Sequence, residues 1–305
     1  MVTTKTINNW DLTRYFVPLA IQAIAQAFSH PLVAMVASRG PGGPLNLAGL
    51  AQSGTVMFFL GIFAIYYMTT GMVYARTKEG FQKFWAVCIW TGFISMVLQG
   101  ILGLPWVAHI IFGRLIGLPP SIENPAQIAL LACMPLQFLF FWRIPYQVAM
   151  YNGNAPGRAS LATIMRIVLT ALLSAVFCST GLVGPLWAVV CLTIPVFLEA
   201  VMSMVFARPF LNRIQPSRSR VPKAREIFFF NLPLSMGGYF LVFSALFLSA
   251  IIARTPDPER VLPVYFVALG LANPLSFAAT RIQALALAFP ADSKGGGLTL
   301  RFTLH

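Results

Sequence analysis

Apolar residues run along this chain in long blocks, each about the length of a bilayer-crossing helix, separated by short polar turns. A span needs about 20 mainly apolar residues, and eight stretches meet that need, near residues 15–37, 46–75, 84–113, 126–151, 159–183, 185–207, 227–253 and 262–290. The second and third are long enough to require tilt or a break, and Pro105 marks a place for one. Inside the blocks the polar residues fall on helical faces. Gln22, Gln26, Ser29 and His30 recur at helical spacing, so they share one side of the first span. That stripe suits either the lining of a hydrophilic pathway or hydrogen bonding between helices. In the fourth span Arg143, Gln147 and Tyr151 share a face, and Gln137 lies on the same span; this face is the best candidate for the wall of a polar cavity. Asn231, Ser235 and Gly238 form a small polar stripe in the seventh.

The blocks also repeat. The run from Arg14 to Arg39 is echoed by one that begins near Phe230 and closes on Arg254, with Pro233 answering Pro18 (233 − 18 = 215) and Arg254 answering Arg39 (254 − 39 = 215). Each arginine is followed by a loop and a second apolar stretch, Leu50-Ala51-Gln52 in one copy and Leu271-Ala272-Asn273 in the other. There the offset is 221 (271 − 50), which predicts a loop longer by six residues. Gln22 and Gln26 become Gly237 and Leu241 in the repeat, so the copies share a scaffold and not a chemistry. Duplicated apolar spans mark many membrane transporters, whose halves move against each other around a site between them. The predicted fold class is all-α: a polytopic transmembrane helix bundle of about eight spans, one six-helix bundle plus the first two helices of a second. The domains expected are the six-helix bundle at 1–207, a basic linker at 208–226, the start of the second repeat at 227–290 and a tail at 291–305.

Composition names the solvent. With 58% hydrophobic and 10% charged residues and a mean hydropathy of +0.77, the chain is unlike soluble domains, about 25% of whose residues are charged. A net charge of +13 invites a nucleic-acid partner, but its distribution rejects one. With alternating spans, 14 of the 21 lysines and arginines fall on the side of the N-terminus, and only Arg39, Arg114, Arg254 and Arg260 on the other. That asymmetry places both termini in the cytoplasm. The dense run from Arg208 to Arg225, broken by Pro216 and Pro222, sets topology or meets anionic lipid headgroups. The polar N-terminus and the length of the first apolar run argue against a cleavable signal peptide.

Three basic residues lie within spans: Arg143, Arg166 and Arg281. A charge at mid-membrane costs at least about 2.5–3.5 kcal/mol on insertion scales, so each should face a bundle interior or a wet cavity, or else snorkel to an interface. Of eight acidic residues only Glu199 sits in a span, where it can pair with an arginine or stay protonated. The positive surplus suits an anion, since guanidinium groups match carboxylate and phosphate oxygens. His30, followed by Pro31, is a candidate for proton coupling. Cys88, Cys133, Cys178 and Cys191 lie in apolar spans without CxxC pairs or histidine at ligand spacing, and read as small buried hydrophobes. Aspartate-rich diphosphate motifs, HExxH, GxSxG and Walker-type loops are all missing, so no enzyme, metal or cofactor is expected.

Three segments carry a family likeness: Leu12-Thr-Arg-Tyr-Phe-Val-Pro-Leu-Ala-Ile, the stretch from Met57-Phe-Phe-Leu-Gly to Ala75-Arg-Thr-Lys, and Ala279-Thr-Arg-Ile-Gln-Ala with Ala288-Phe-Pro. They resemble the progressive ankylosis (ANK) family and, more distantly, the multidrug and toxic compound extrusion (MATE) family of the multidrug/oligosaccharidyl-lipid/polysaccharide (MOP) flippase superfamily. The resemblance implies two facing six-helix bundles, alternating access, and secondary-active export of organic anions or amphiphilic drugs from a bacterial inner (plasma) membrane. The partners implied are a small anionic or amphiphilic solute, membrane lipid and a coupling ion, Na+ or H+, with no nucleic acid. The expected pathway residues are Gln22, Gln26, His30, Gln137, Arg143, Gln147, Tyr151, Arg166, Glu199, Asn231 and Arg281. Two departures stand out. Gln22 and Gln26 occupy the first span where MATE-like pumps often carry an acid, and the chain ends after the second helix of the second bundle, with a tail from Lys294 that reads like a clipped terminus. The other readings are a flippase for lipid-linked intermediates and a shortened, transport-inactive membrane protein that acts by association.

Overall fold

The computed structural model of the chain describes residues 8–217, 220–279 and 281–289. The helices are α1 (Asn9–Ser38), α2 (Pro44–Tyr74), α3 (Lys78–Leu102), α4 (Pro105–Ala108), a π-helix (His109–Ile116), α5 (Pro120–Ala132), α6 (Met134–Asn152), α7 (Pro156–Thr180), α8 (Pro185–Leu211), α9 (Ala224–Ile252), α10 (Pro258–Ala279) and α11 (Ile282–Ala288). Local sequence explains most of their starts. Proline opens α2, α4, α5, α7 and α8, where its missing N–H is no loss. Thr77 caps α3 by accepting from the Gly80 N–H at 3.2 Å. Gly181 and Gly184, at φ 76° and 116°, take the turn between α7 and α8.

Among the described residues six helices are long and apolar enough to cross a bilayer, namely α1, α2, α3, α7, α8 and α9, and the α5–α6 pair, bent by 44°, makes a seventh when counted as one broken span. The all-helical, polytopic bundle expected from the apolar blocks is thus present, with the break foreseen at Pro105 and two corrections. The third block ends at Leu102, and Pro105 opens a separate short helix that runs into the π-helix. The fourth block begins earlier, at Pro120, and is broken at Cys133: Pro135 lacks the N–H that would carry α5 straight on into α6. The eighth block, expected at 262–290, is divided between α10 and α11. The tail at 291–305 lies outside the described residues.

Two features bear on the expected duplication. Asp11 accepts from the Asn8 N–H at 3.1 Å and Glu226 from the Lys223 N–H at 3.3 Å, two capping contacts 215 residues apart (223 − 8 = 226 − 11). Helix α1 lies against α10 while α2 lies against α9, the reciprocal contact that a twofold relation between two copies requires. The longer second loop is not found. Residues 40–43 precede α2 and 255–257 precede α10, so the 221-residue offset falls inside the helices. Arg254 donates to the Ile116 and Leu115 carbonyls at 2.8 and 3.0 Å, which ties the end of the π-helix to α9, whereas Arg39 is exposed.

The buried apolar residues gather in three clusters. One joins Tyr15, Leu19, Tyr67, Phe84, Phe141 and Ile144 toward one end of the bundle. A second joins Val36, Met57, Leu136, Leu192 and Val196. The third holds α5 and the π-helix against α9 and α10 through Phe112, Ile122 and Leu262. Large apolar side chains such as Trp90, Leu172, Phe197 and Phe240 stay exposed, as lipid-facing positions require. Close helix approach depends on glycine at Gly92, where a Cβ would stand 2.6 Å from the Phe141 Cβ.

Candidate functional site

Where the first two apolar clusters meet, α1, α2, α6, α7 and α8 leave a cavity of about 110 Å3. Its apolar wall comes from Phe58, Ala64, Met68, Phe140, Ile144 and Leu192, and its polar wall from Gln26, Ser29, His30, Gln137, Arg143, Arg166 and Arg281. That volume holds several waters and falls short of the roughly 300–1,000 Å3 of sites that enclose a drug-sized ligand.

Glu199 of α8 anchors the polar wall. Its Oε2 accepts from Arg143 and, at 2.9 Å, from Arg166 Nη1; its Oε1 accepts from the Thr163 hydroxyl at 2.5 Å and from Gln147 Nε2 at 3.5 Å. One carboxylate therefore fastens α6, α7 and α8 together. The side chains of Arg143, Arg166 and Glu199 are 11%, 3% and 0% exposed. Arg143 is also held over the Phe140 ring, 5.0 Å from its centroid. Arg166 reaches across to α1, donating from Nη2 to Ser29 Oγ at 2.9 Å and to the Gln26 carbonyl at 3.3 Å. Arg281, from the link between α10 and α11, donates to Gln26 Oε1 at 3.2 Å, a neutral acceptor 255 residues away.

The site is rich in unused donors. Arg143 Nε, Arg166 Nε, Arg281 Nε, Gln26 Nε2 and both ends of the Gln137 amide are buried without a hydrogen-bond partner among the described residues. Gln137 fits because residue 61 is glycine: a Cβ there would stand 3.1 Å from its Nε2. With three guanidinium groups and one carboxylate, the cluster carries +2 (3 − 1). Guanidinium and amide donors match the geometry of carboxylate and phosphate oxygens. Among the described residues no group of three or more His, Cys, Asp or Glu side chains gathers where a metal ion would need it.

The structure brings together most of the residues picked out in the sequence. Gln26, His30, Gln137, Arg143, Arg166 and Arg281 line the cavity, with Gln147 and Glu199 directly behind. Gln22 and Tyr151 lie at one end of this polar column, where the Tyr151 hydroxyl donates to Gln22 Oε1 at 2.5 Å. Asn231 is elsewhere. It sits on the contact between α2 and α9, accepting from Thr70 at 2.7 Å and donating to the Phe63 carbonyl at 3.3 Å and to Ser235 at 3.2 Å. Sequence reasoning passed over Thr163, although its place three residues before Arg166 puts both on one face of α7 (166 − 163). It also passed over Phe58, Phe140 and Met68, which look like any other apolar residue of a span until the cavity is seen.

No protein-family model and no curated protein sequence matches the chain. Solved structures do match it. The MATE multidrug transporter DinF-BH is similar at a TM-score of 0.71 and 15% identity, over 97% of this chain and 68% of that one. A MOP superfamily transporter from Pyrococcus furiosus is similar at 0.66 and 16% identity, over 96% and 68%. The eukaryotic MATE transporter AtDTX14 is similar at 0.66 and 16% identity, over 97% and 68%. The chain thus shares the fold of these transporters over about two-thirds of their length, at low identity.

Proposed function

We propose that the chain is a secondary-active membrane exporter that works by alternating access, and that organic anions, including amphiphilic ones, are its preferred solutes. The observation that carries this reading is the central cavity, where Arg143 and Arg166 share the Glu199 carboxylate, Arg281 meets only the neutral Gln26, and the three Nε donors, with the Gln137 amide, stay unused among the described residues. The fold it shares with MATE and MOP transporters supports the transport class. The Pyrococcus furiosus transporter has a binding pocket of reversed polarity that suggests a different function for it, so a pocket of altered charge is compatible with the scaffold. The likeness of three segments to ANK-like proteins agrees with an anionic solute. A cavity of about 110 Å3 is too small for such a solute, and the reading requires the helices around it to part during the cycle. The cytoplasmic placement of the termini, the bacterial inner membrane and the coupling ion, Na+ or H+, belong to the same proposal.

Efflux from proteoliposomes tests it. With Arg143→Ala, organic-anion export is expected to fall at least about tenfold, the effect of losing one charge-assisted contact, while export of a cationic drug persists. Unchanged anion export in Arg143→Ala, Arg166→Ala and Arg281→Ala alike would overturn it.

A further inference from the structure

A second hollow, of about 530 Å3, opens at the ends of α2, α6 and α8, with Ala288 of α11 at its edge. Its polar lining is Arg76, Arg213, Asn152, Asn154 and Gln215, and both arginines are exposed. Arg76 spends its Nε on the Met72 carbonyl at 2.7 Å, which orients the rest of the guanidinium without neutralising it. The floor is Tyr151, the same residue that ends the polar column of the central cavity.

Between the two hollows the buried polar groups are left incomplete. The Tyr15 hydroxyl, within electrostatic reach of Tyr151 and Arg76, has no hydrogen-bond partner among the described residues; neither have Gln22 Nε2 and Gln147 Oε1. Further in come the unused donors of Gln26, Arg143, Arg166 and Arg281. Buried polar atoms without partners are rare in a packed interior, and here they lie in sequence from one hollow toward the other, where water or a solute could satisfy them. The hydrogen bond from Tyr151 of α6 to Gln22 of α1 crosses the file, set among buried apolar residues of the first cluster such as Leu19, Ile144 and Val148.

We propose that the outer hollow is a vestibule subsite for carboxylate- or phosphate-bearing solutes, held there by Arg76 and Arg213, and that the Tyr151–Gln22 bond is the door between it and the central cavity. This deepens the exporter reading and rests on it for the identity of the cargo. The vestibule lies on the face that the excess of arginine and lysine assigns to the cytoplasm, so it is where an exporter collects its load. A cation in an open mouth raises the local concentration of anions by an amount that depends on ionic strength. A single neutral hydrogen bond contributes little net stability, so a solute that offers Gln22 and the arginines beyond it a better acceptor can displace it.

Thiol labelling provides the test. Cys88, Cys133, Cys178 and Cys191 are replaced by alanine, Met68→Cys places a thiol on the cavity wall, and inside-out vesicles are treated with an anionic sulfonatoethyl or a cationic trimethylammonium methanethiosulfonate. Tyr151→Phe and Gln22→Leu, which delete the same bond from opposite sides, are each expected to speed labelling about tenfold, the upper range for one buried hydrogen bond. Arg213→Gln is expected to slow the anionic reagent about threefold, as loss of one steering charge does, and to leave the cationic one unchanged. Labelling that neither Tyr151→Phe nor Gln22→Leu alters, or an Arg213→Gln effect equal for both reagents, overturns the proposal. Anion efflux measured in the same vesicles separates the two readings. Labelling that responds without efflux sinks the exporter and spares the vestibule, whereas efflux with unresponsive labelling does the reverse.

Discussion

Two polar clusters lie buried in this bundle, and they differ in what they leave over. At the contact of α2 and α9, Asn231, Thr70 and Ser235 form a closed set. Thr70 donates to Asn231, Asn231 donates to the Phe63 carbonyl and to Ser235, and Ser235 donates back to the Asn231 carbonyl at 2.8 Å. Each of their polar side-chain atoms has a partner, and none of the three residues lines the cavity. Around Glu199 the bonds are as many and the groups are charged, yet the cluster borders a cavity and keeps donors unused. Polar residues in a membrane helix thus serve two ends. A set that consumes its own hydrogen-bonding capacity joins helices, and a set with capacity to spare is open to a third party.

Substitutions can break that distinction or sharpen it. The largest expected effect is for Glu199→Ala, which leaves Arg143 and Arg166 buried without their carboxylate; loss of one member of a buried charge set costs about 3–5 kcal/mol. Thermal unfolding in detergent should show a fall in melting temperature greater than that of any other single change in the cluster. Asn231→Leu should cost about 1 kcal/mol, because it strands the Thr70 hydroxyl, and anion efflux per folded molecule should stay at the parent level. A drop in efflux beyond the loss of folded protein would put Asn231 on the pathway after all. The smallest stability effect, within about 0.5 kcal/mol of zero, is expected for Gln137→Leu, since neither end of its amide bonds to any described residue. Its efflux should nonetheless fall severalfold. Gln137→Leu with wild-type efflux, or with a melting temperature as low as that of Glu199→Ala, would erase the difference between the clusters.

Much of this arrangement was legible in the residues. Apolar block length gave the helical, membrane-spanning class, because the bilayer imposes a length on its spans. The expense of burying charge picked out Arg143, Arg166, Arg281 and Glu199 before any geometry was known. Helical spacing did less well, because a stripe tells which residues share a face and not what the face meets. Gln22 and Asn231 both head polar stripes; one ends in the central column and the other in a helix contact, and only the neighbouring helix decides which. The break at Cys133 and the division of the last block were hidden for a similar reason, since proline is compatible with a kink, a cap or a stop. Pairing across 56 residues, as between Arg143 and Glu199, leaves no mark in local pattern at all.

Arg281 comes to the cavity from the link between α10 and α11, whereas Arg143, Arg166 and Glu199 belong to α6, α7 and α8. The electrical state of the pocket is therefore a function of shape. When α10 and α11 lie against α1, the pocket holds +2; a rocking motion that draws them away removes one guanidinium and halves that charge. In the exporter proposed above, grip and release of an anion would then follow from that movement alone, with no group gaining or losing a proton.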